Sequence, residues 1–142
     1  MNKNMVVGIA DTDILLRLVI AALAGGIIGF ERKKVHKPAG IRTLMLVSIG
    51  AALFTIVSVE AFTDGDPSKI IAGIVTGIGF LGAGTIFRAE NQVKGLTTAA
   101  SMWAVAAIGI TAGLGEYTLM VITTILVYFI LQLNKIRALR EI

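Results

Sequence analysis

The chain has no cysteine, a single histidine and two prolines among its 142 residues. The first absence excludes disulfides, thiolate metal sites and thiol nucleophiles. The histidine, His36, lies between Lys34 and Lys37. An imidazole among cations is a poor metal ligand, so it reads as a solvated loop residue. Charge is scarce as well. Asp, Glu, Lys and Arg make up 15% of the chain, against roughly 25% for an average soluble domain. The sequence offers no paired acids in one cleft, no activated nucleophile and no nucleotide-binding motif. It therefore does not read as an enzyme, and no cofactor is expected.

What is abundant is apolar surface. Hydrophobic residues make up 56% of the chain, and the mean hydropathy is +0.85. A soluble domain of this size has too little interior to hide so much, and a bilayer is its natural solvent. A net charge of +4 and a pI near 9.7 raise the question of nucleic acid. The charges fall between apolar runs, however, where membrane topology accounts for them, and no nucleic-acid partner is expected.

Five apolar runs stand out, at residues 14–30, 43–62, 70–87, 96–114 and 117–133. Each is long enough, at roughly 26 to 30 Å as a helix, to cross a hydrocarbon core. The expected architecture is an all-α membrane protein, one compact transmembrane domain of five helices over residues 1–142. The first run does not read as a cleavable signal peptide, because Asp11 and Asp13 precede it and no small-residue cleavage site follows. Arg32, Lys33, Lys34, Lys37 and Arg42 follow the first run, Arg88 and Lys94 the third, and Lys135, Arg137 and Arg140 the fifth. The opposite side carries Lys3 and Lys69 with Asp11, Asp13, Asp64, Asp66 and Glu116. The positive-inside rule then places the N-terminus outside and the C-terminus in the cytoplasm. Arg17, one turn after Asp13, reads as a snorkelling i,i+4 partner of that aspartate.

The 16 glycines cluster. Gly25 and Gly29 lie in the first helix, Gly73, Gly77, Gly79, Gly82 and Gly84 in the third, and Gly109 and Gly113 in the fourth. Small residues four apart let helix backbones approach closely in lipid. They predict tight packing within one bundle, with a homodimer seam as the alternative. The stretch from Gly77 to Gly84 is poor helix-forming material. It predicts the most crowded helix of the bundle, with a broken helix exposing carbonyls as the alternative. A shift of 55 residues aligns Gly29 with Gly84, Gly40 with Gly95, Thr43 with Thr98 and Ala51-Ala52 with Ala106-Ala107. This is either a parallel repeat or a chance likeness of two helical hairpins.

Several motifs follow one another in order. They are Gly25-Gly26-Ile27-Ile28-Gly29-Phe30-Glu31-Arg32, Lys37-Pro38-Ala39-Gly40-Ile41-Arg42-Thr43, Gly50-Ala51-Ala52-Leu53-Phe54, Asp66-Pro67-Ser68-Lys69, Gly77-Ile78-Gly79-Phe80-Leu81-Gly82-Ala83-Gly84 and Gly95-Leu96-Thr97-Thr98-Ala99-Ala100-Ser101-Met102-Trp103. Over roughly residues 13 to 133 the chain resembles the MgtC/SapB family of bacterial membrane proteins. The resemblance implies a multi-pass protein of the bacterial inner membrane with five helices. It implies a link to growth in low magnesium and to survival of pathogens inside host cells, under a family name that denotes a magnesium transporter. Longer members add a cytosolic ACT-like domain, and the chain is expected to be the short, SapB-type form. Gly73 stands where the family often has Gln, and Ala89-Glu90-Asn91 replaces a more usual Asp-Gly turn.

The candidate functional residues are Glu31, Arg32, Arg42, Thr43, Arg88, Thr97, Thr98, Ser101 and Trp103. Glu31, Arg42 and Arg88 are expected at the cytoplasmic boundary, either as a salt-bridge clamp between Glu31 and one of the two arginines or as a charged site for an ion or partner. Thr97, Thr98 and Ser101 are expected to cap the fourth helix, with bonds across helices as the alternative. Trp103 is too deep for the interfacial belt and is expected inside the bundle. Mg²⁺ requires oxygen ligands, usually carboxylates. The apolar centres of the runs hold none, so no metal ligands are assigned, and Mg²⁺ remains a ligand or cargo without a visible site. Two functions follow. One is a membrane regulator or scaffold acting on another membrane protein. The other is a subunit of an ion pathway. The bilayer, a second copy and another membrane protein are the expected partners.

Overall fold

A computed structural model of the chain describes residues 11–34, 36–61, 66–89 and 92–133. Val35, Phe62 (the expected end of the second run), Asp64, Glu90 and Asn91 lie outside the described residues, as do Lys3, Lys135, Arg137 and Arg140. The described residues form five helices, α1 (Asp11–Lys34), α2 (Ile41–Ala61), α3 (Ser68–Ala83), α4 (Leu96–Leu114) and α5 (Tyr117–Gln132). Helices α1, α2 and α4 are long and apolar enough to cross a membrane, while α3 and α5 are shorter apolar helices of 16 residues.

Helix α1 is longer than its apolar run because charge extends it at both ends. Asp11 and Asp13 lie in its first turn and Arg32, Lys33 and Lys34 in its last, each sign opposite to the helix dipole. It closes in a Schellman motif. His36, at a φ of 54°, donates its N–H to Lys33 O at 3.0 Å, and Lys37 donates to Arg32 O at 3.1 Å. Helix α4 ends the same way. Gly115 takes a φ of 78°, with Gly115 N–H on Ala112 O and Glu116 N–H on Thr111 O. That left-handed residue lets the chain reverse into α5 within two residues.

Helix α2 is packed between α1 and α4, and α4 is the helix that touches all the others. The buried positions of α2, Leu44, Ser48, Ala51, Ala52, Thr55 and Ser58, follow the helical period and are mostly small. Glycines of both neighbours press into them. A Cβ on Gly25 would lie 2.5 Å from Leu44 O and 2.9 Å from the Ser48 Cβ, and one on Gly29 would lie 2.5 Å from the Ile41 Cα. From the other side Gly109 faces Ser48 and Ala51, and Gly113 would place a Cβ 2.6 Å from Ala52 O. No side chain fits in these seams, which is how backbones gain dispersion contact where lipid supplies no hydrophobic drive. Ile28, Leu44, Val105, Ile108 and Ala112 fill the remaining core.

Helix α3 overturns both expectations for the glycine-rich stretch. It is continuous through Gly73, Gly77, Gly79 and Gly82 rather than broken. It is also not crowded. A Cβ on Gly73, Gly77 or Gly79 would meet nothing within 4 Å, and only Gly82 reaches a neighbouring helix, at 3.4 Å from the Ala99 Cβ. The reason lies in the neighbours. Helix α3 leans on α4 through Ile78 and Gly82 and touches α2 only lightly, so most of its face points outward. Gly84 lies over carbonyls of its own chain, Leu81 O and Phe80 O.

The helix also stops earlier than its apolar run. Thr85 N–H and its hydroxyl both bond Gly82 O, and Ile86 N–H bonds Ala83 O. Residues after Ile86 form an antiparallel pair, β1 (Phe87–Ala89) and β2 (Gln92–Lys94), with Arg88 opposite Val93. Gly95, at a φ of 93°, then turns the chain into α4. Its hydrogen lies against Thr85 O, where no Cβ fits. The 55-residue correspondence does not carry into packing, because Gly29 meets the start of α2 while Gly84 meets no other helix. At the opposite end Asp66 accepts the Ser68 N–H at 3.0 Å and opens α3. Hydrogen bonds from the Ser68 side chain and backbone hold the Asp66 carboxyl below its ordinary range.

Candidate functional site: a buried ion pair beside a basic pocket

The last turn of α1 and the first turn of α4 lie side by side. Glu31 and Arg32 are each only 2% exposed, unusual for charged side chains. An Arg32 Nη1 stands 3.9 Å from Glu31 Oε2, and Nη2 donates to Thr98 Oγ1 at 3.2 Å. Thr98 is buried too, and its carbonyl accepts the Ser101 hydroxyl at 2.7 Å. The pair is loosely made. Glu31 Oε2 and Arg32 Nε have no hydrogen-bond partner among the described residues. A buried pair in this state is costly to build and more costly to break on one side only.

The structure brings together Glu31, Arg32, Thr98 and Ser101 from the expected set. It corrects the clamp expected between Glu31 and Arg42 or Arg88. Arg42 and Thr43 open α2 with exposed side chains, and Arg88 is exposed on β1. The charge beside Glu31 is its sequence neighbour Arg32. The expected capping by hydroxyls is corrected as well. The N-cap of α4 is Gly95, without a side-chain cap. Thr98 is engaged across helices by Arg32, Ser101 bonds within its own helix, and Thr97 is exposed. Trp103 is 53% exposed on the outer surface of α4, not inside the bundle. With α2 and α1 filling the inner side of α4, a residue of that volume fits only on the lipid side.

Sequence reading missed a second cross-helix tie. Arg17 forms the expected pair with Asp13, Nε to Oδ2 at 2.7 Å, but its Nη1 also donates to Gly113 O at 2.7 Å. Tyr117 OH donates to the other Asp13 oxygen at 3.2 Å. One arginine thus joins the start of α1 to the α4–α5 reversal. The small side chains of α2 were the overlooked signal for its close packing between α1 and α4.

An oxygen-rich site for Mg²⁺ is not assembled by the described residues of one chain, where no three of His, Asp and Glu come together. Several hydroxyls within the helices are turned to their own backbones, whereas Ser48 Oγ, buried in α2, has no partner among the described residues and Ser58 Oγ donates to Pro67 O. Thr55 bonds Ala51 O, Thr76 bonds Ala72 O, Thr111 bonds Ile108 O and Thr124 bonds Met120 O. Between α2 and α3 runs an apolar lateral groove of about 660 Å³, lined by Phe54, Gly50, Gly73 and Gly77 among others.

The sequence profile described as MgtC family matches residues 18–138. The Escherichia coli (strain K12) protein named "Putative magnesium transporter YhiD" is 43% identical over 128 residues, covering 84% of this chain and 60% of that protein. "Protein MgtC" of Brucella abortus (strain 2308) is 45% identical over 116 residues, covering 82% and 48%. "Protein MgtC" of Salmonella typhimurium (strain 14028s / SGSC 2262) is 45% identical over 113 residues, covering 80% and 48%. The chain thus spans about half of the length of these relatives. No solved structure matches it.

Proposed function

The chain belongs to the MgtC family of membrane proteins, and from that premise we propose that it is a membrane-embedded regulator or scaffold that acts on another membrane protein. In this reading it is one transmembrane domain of five helices in the bacterial inner membrane, N-terminus outside and C-terminus cytoplasmic. The observation that carries the reading is the absence of a polar path among the described residues. Moving a doubly charged, strongly hydrated ion requires water or ligands along its whole route. Here the centre of α2 is sealed on both sides by glycine seams, Thr55 and Thr111 are bonded to their own helices, and Ser48, whose hydroxyl has no partner among the described residues, is closed in between Gly25 and Gly109. The partners proposed are another membrane protein or a second copy, with lipid around them.

The outward glycines of α3 favour a second reading, a subunit of a magnesium or other ion pathway. Gly73, Gly77 and Gly79 leave room for a further helix, so an oligomer around α3 would build a route that one chain lacks. The name of the Escherichia coli relative points the same way. Proteoliposomes loaded with a magnesium-sensitive dye separate the two. No uptake above protein-free vesicles is expected. Uptake that depends on the protein and disappears when Gly77 to Gly84 is altered would replace the regulator by a channel.

A further inference from the structure

A second pocket, of about 580 Å³, opens beside the buried ion pair. Its walls include Arg32, His36, Lys37, Lys94, Thr97 and Thr98, and among the described residues no Asp or Glu lines it. Gly95, Leu96, Thr97 and Thr98, at the start of α4, form one wall of it. The helix is 19 residues long, its N-cap is a glycine, and no side chain caps it. The uncapped end therefore keeps its partial positive charge. The opposing end of α1 is neutralised differently, since the Schellman bonds of His36 and Lys37 occupy the carbonyls of Lys33 and Arg32. What remains at the pocket is donors and positive charge.

A second, independent observation is Arg32. Its side chain is only 2% exposed, it lines the pocket, and its Nε has no hydrogen-bond partner among the described residues. Among the described residues Glu31 is its only ion-pair partner, at 3.9 Å, and Nη2 bonds Thr98, which leaves part of its donor fork unused. A buried guanidinium with a free donor, an uncapped helix N-terminus and two lysines are the components from which phosphate sites are built.

We propose that this pocket binds a phosphate group, held by Arg32 and the first-turn N–H groups of α4, with Lys37 and Lys94 closing over it and the Thr97 hydroxyl donating. The group is either inorganic phosphate or the phosphodiester of an anionic phospholipid. Both apolar helices that frame the pocket end at this level, α1 at Lys34 and α4 at Leu96, which is the depth of lipid headgroups.

The test uses the full chain purified in neutral detergent. Inorganic phosphate is titrated against sodium chloride of equal ionic strength while thermal unfolding is followed. In parallel, nanodiscs of phosphatidylcholine with and without phosphatidylglycerol are prepared, and bound lipid is counted by native mass spectrometry after detergent exchange. Stabilisation by phosphate beyond chloride identifies the free anion, and retention of one phosphatidylglycerol identifies the lipid. Lys37→Gln and Lys94→Gln are both exposed substitutions that leave the core intact, and each is expected to weaken binding about fivefold. Arg32→Gln should abolish it, but the lysine variants carry the test because Arg32 is buried. The proposal is overturned if neither ligand binds above its control. It is equally overturned if binding is unchanged in the double lysine variant.

Discussion

Replacing Gly25 and Gly77 separately by alanine tests the packing of the bundle directly. Both are mid-helix glycines, so each alanine gains about the same helix propensity, roughly 1 kcal/mol. That contribution cancels in the comparison, and the difference reports what the new methyl meets. At Gly77 it meets nothing within 4 Å. At Gly25 it would lie 2.5 Å from Leu44 O and 3.0 Å from Leu44 C, both backbone atoms that cannot rotate away. A comfortable C···O contact is about 3.3 Å, so α1 and α2 must separate by roughly 0.8 Å. A gap of that size forfeits about a quarter to a half of each dispersion pair, worth ~0.1–0.2 kcal/mol apiece. Over a few tens of atom pairs along the seam this amounts to about 2 kcal/mol, within the usual range for overpacking. Gly77→Ala should therefore be neutral or stabilising by up to about 1 kcal/mol, and Gly25→Ala destabilising by about the same amount. Thermal unfolding or denaturation by sodium dodecyl sulfate in one detergent measures both. Equal stabilities, or a more damaging substitution at Gly77, would refute the assignment of the seam to α1 and α2.

Four further outcomes are expected. Glu31→Ala and Arg32→Ala should each cost about 3–5 kcal/mol, and the double variant much less than their sum, because each single change strands a buried charge; additive losses would mean the two do not interact. Arg42→Ala and Arg88→Ala, both exposed, should each stay within about 0.5 kcal/mol of wild type in the same melt. Arg17→Met should destabilise by about 1–3 kcal/mol through loss of its bonds to Asp13 and Gly113 O, measured against Asp13→Asn to separate the two ties. In the cysteine-free chain, a cysteine replacing Lys37 should be labelled only from the cytoplasm and one replacing Ser68 only from outside; the reverse pattern would invert the charge-based topology.

The sequence by itself determined what depends on composition along a single helix. Apolar runs between charge clusters located all five helices, because a helix satisfies its own backbone groups and needs no distant partner to be recognised. The α4 span matched its run from Leu96 to Leu114, bounded by glycine on both sides. Local chemistry of the same kind made the Asp13–Arg17 pair legible, since the residues are one turn apart on one helix. The family resemblance rested on ordered motifs and was likewise a property of the chain alone.

The tertiary structure decided everything that depends on which face meets which neighbour. Gly25 and Gly29 have the same spacing as Gly73 and Gly77, yet the first pair is locked against α2 and the second is open. The spacing states only that a backbone can be approached, not that anything approaches it. Trp103 and the partner of Glu31 were misjudged for the same reason. Depth in the membrane follows from position in a run, whereas burial follows from the direction of the neighbouring helices. The end of α3 went the other way, with Thr85 tying off the helix and the residues after Ile86 pairing into strands, because apolar composition does not distinguish a helix's last turn from a short strand. The pocket at the start of α4 needed both decisions at once. It exists because folding sets the uncapped end of one helix beside an arginine that closes another, 66 residues away in sequence.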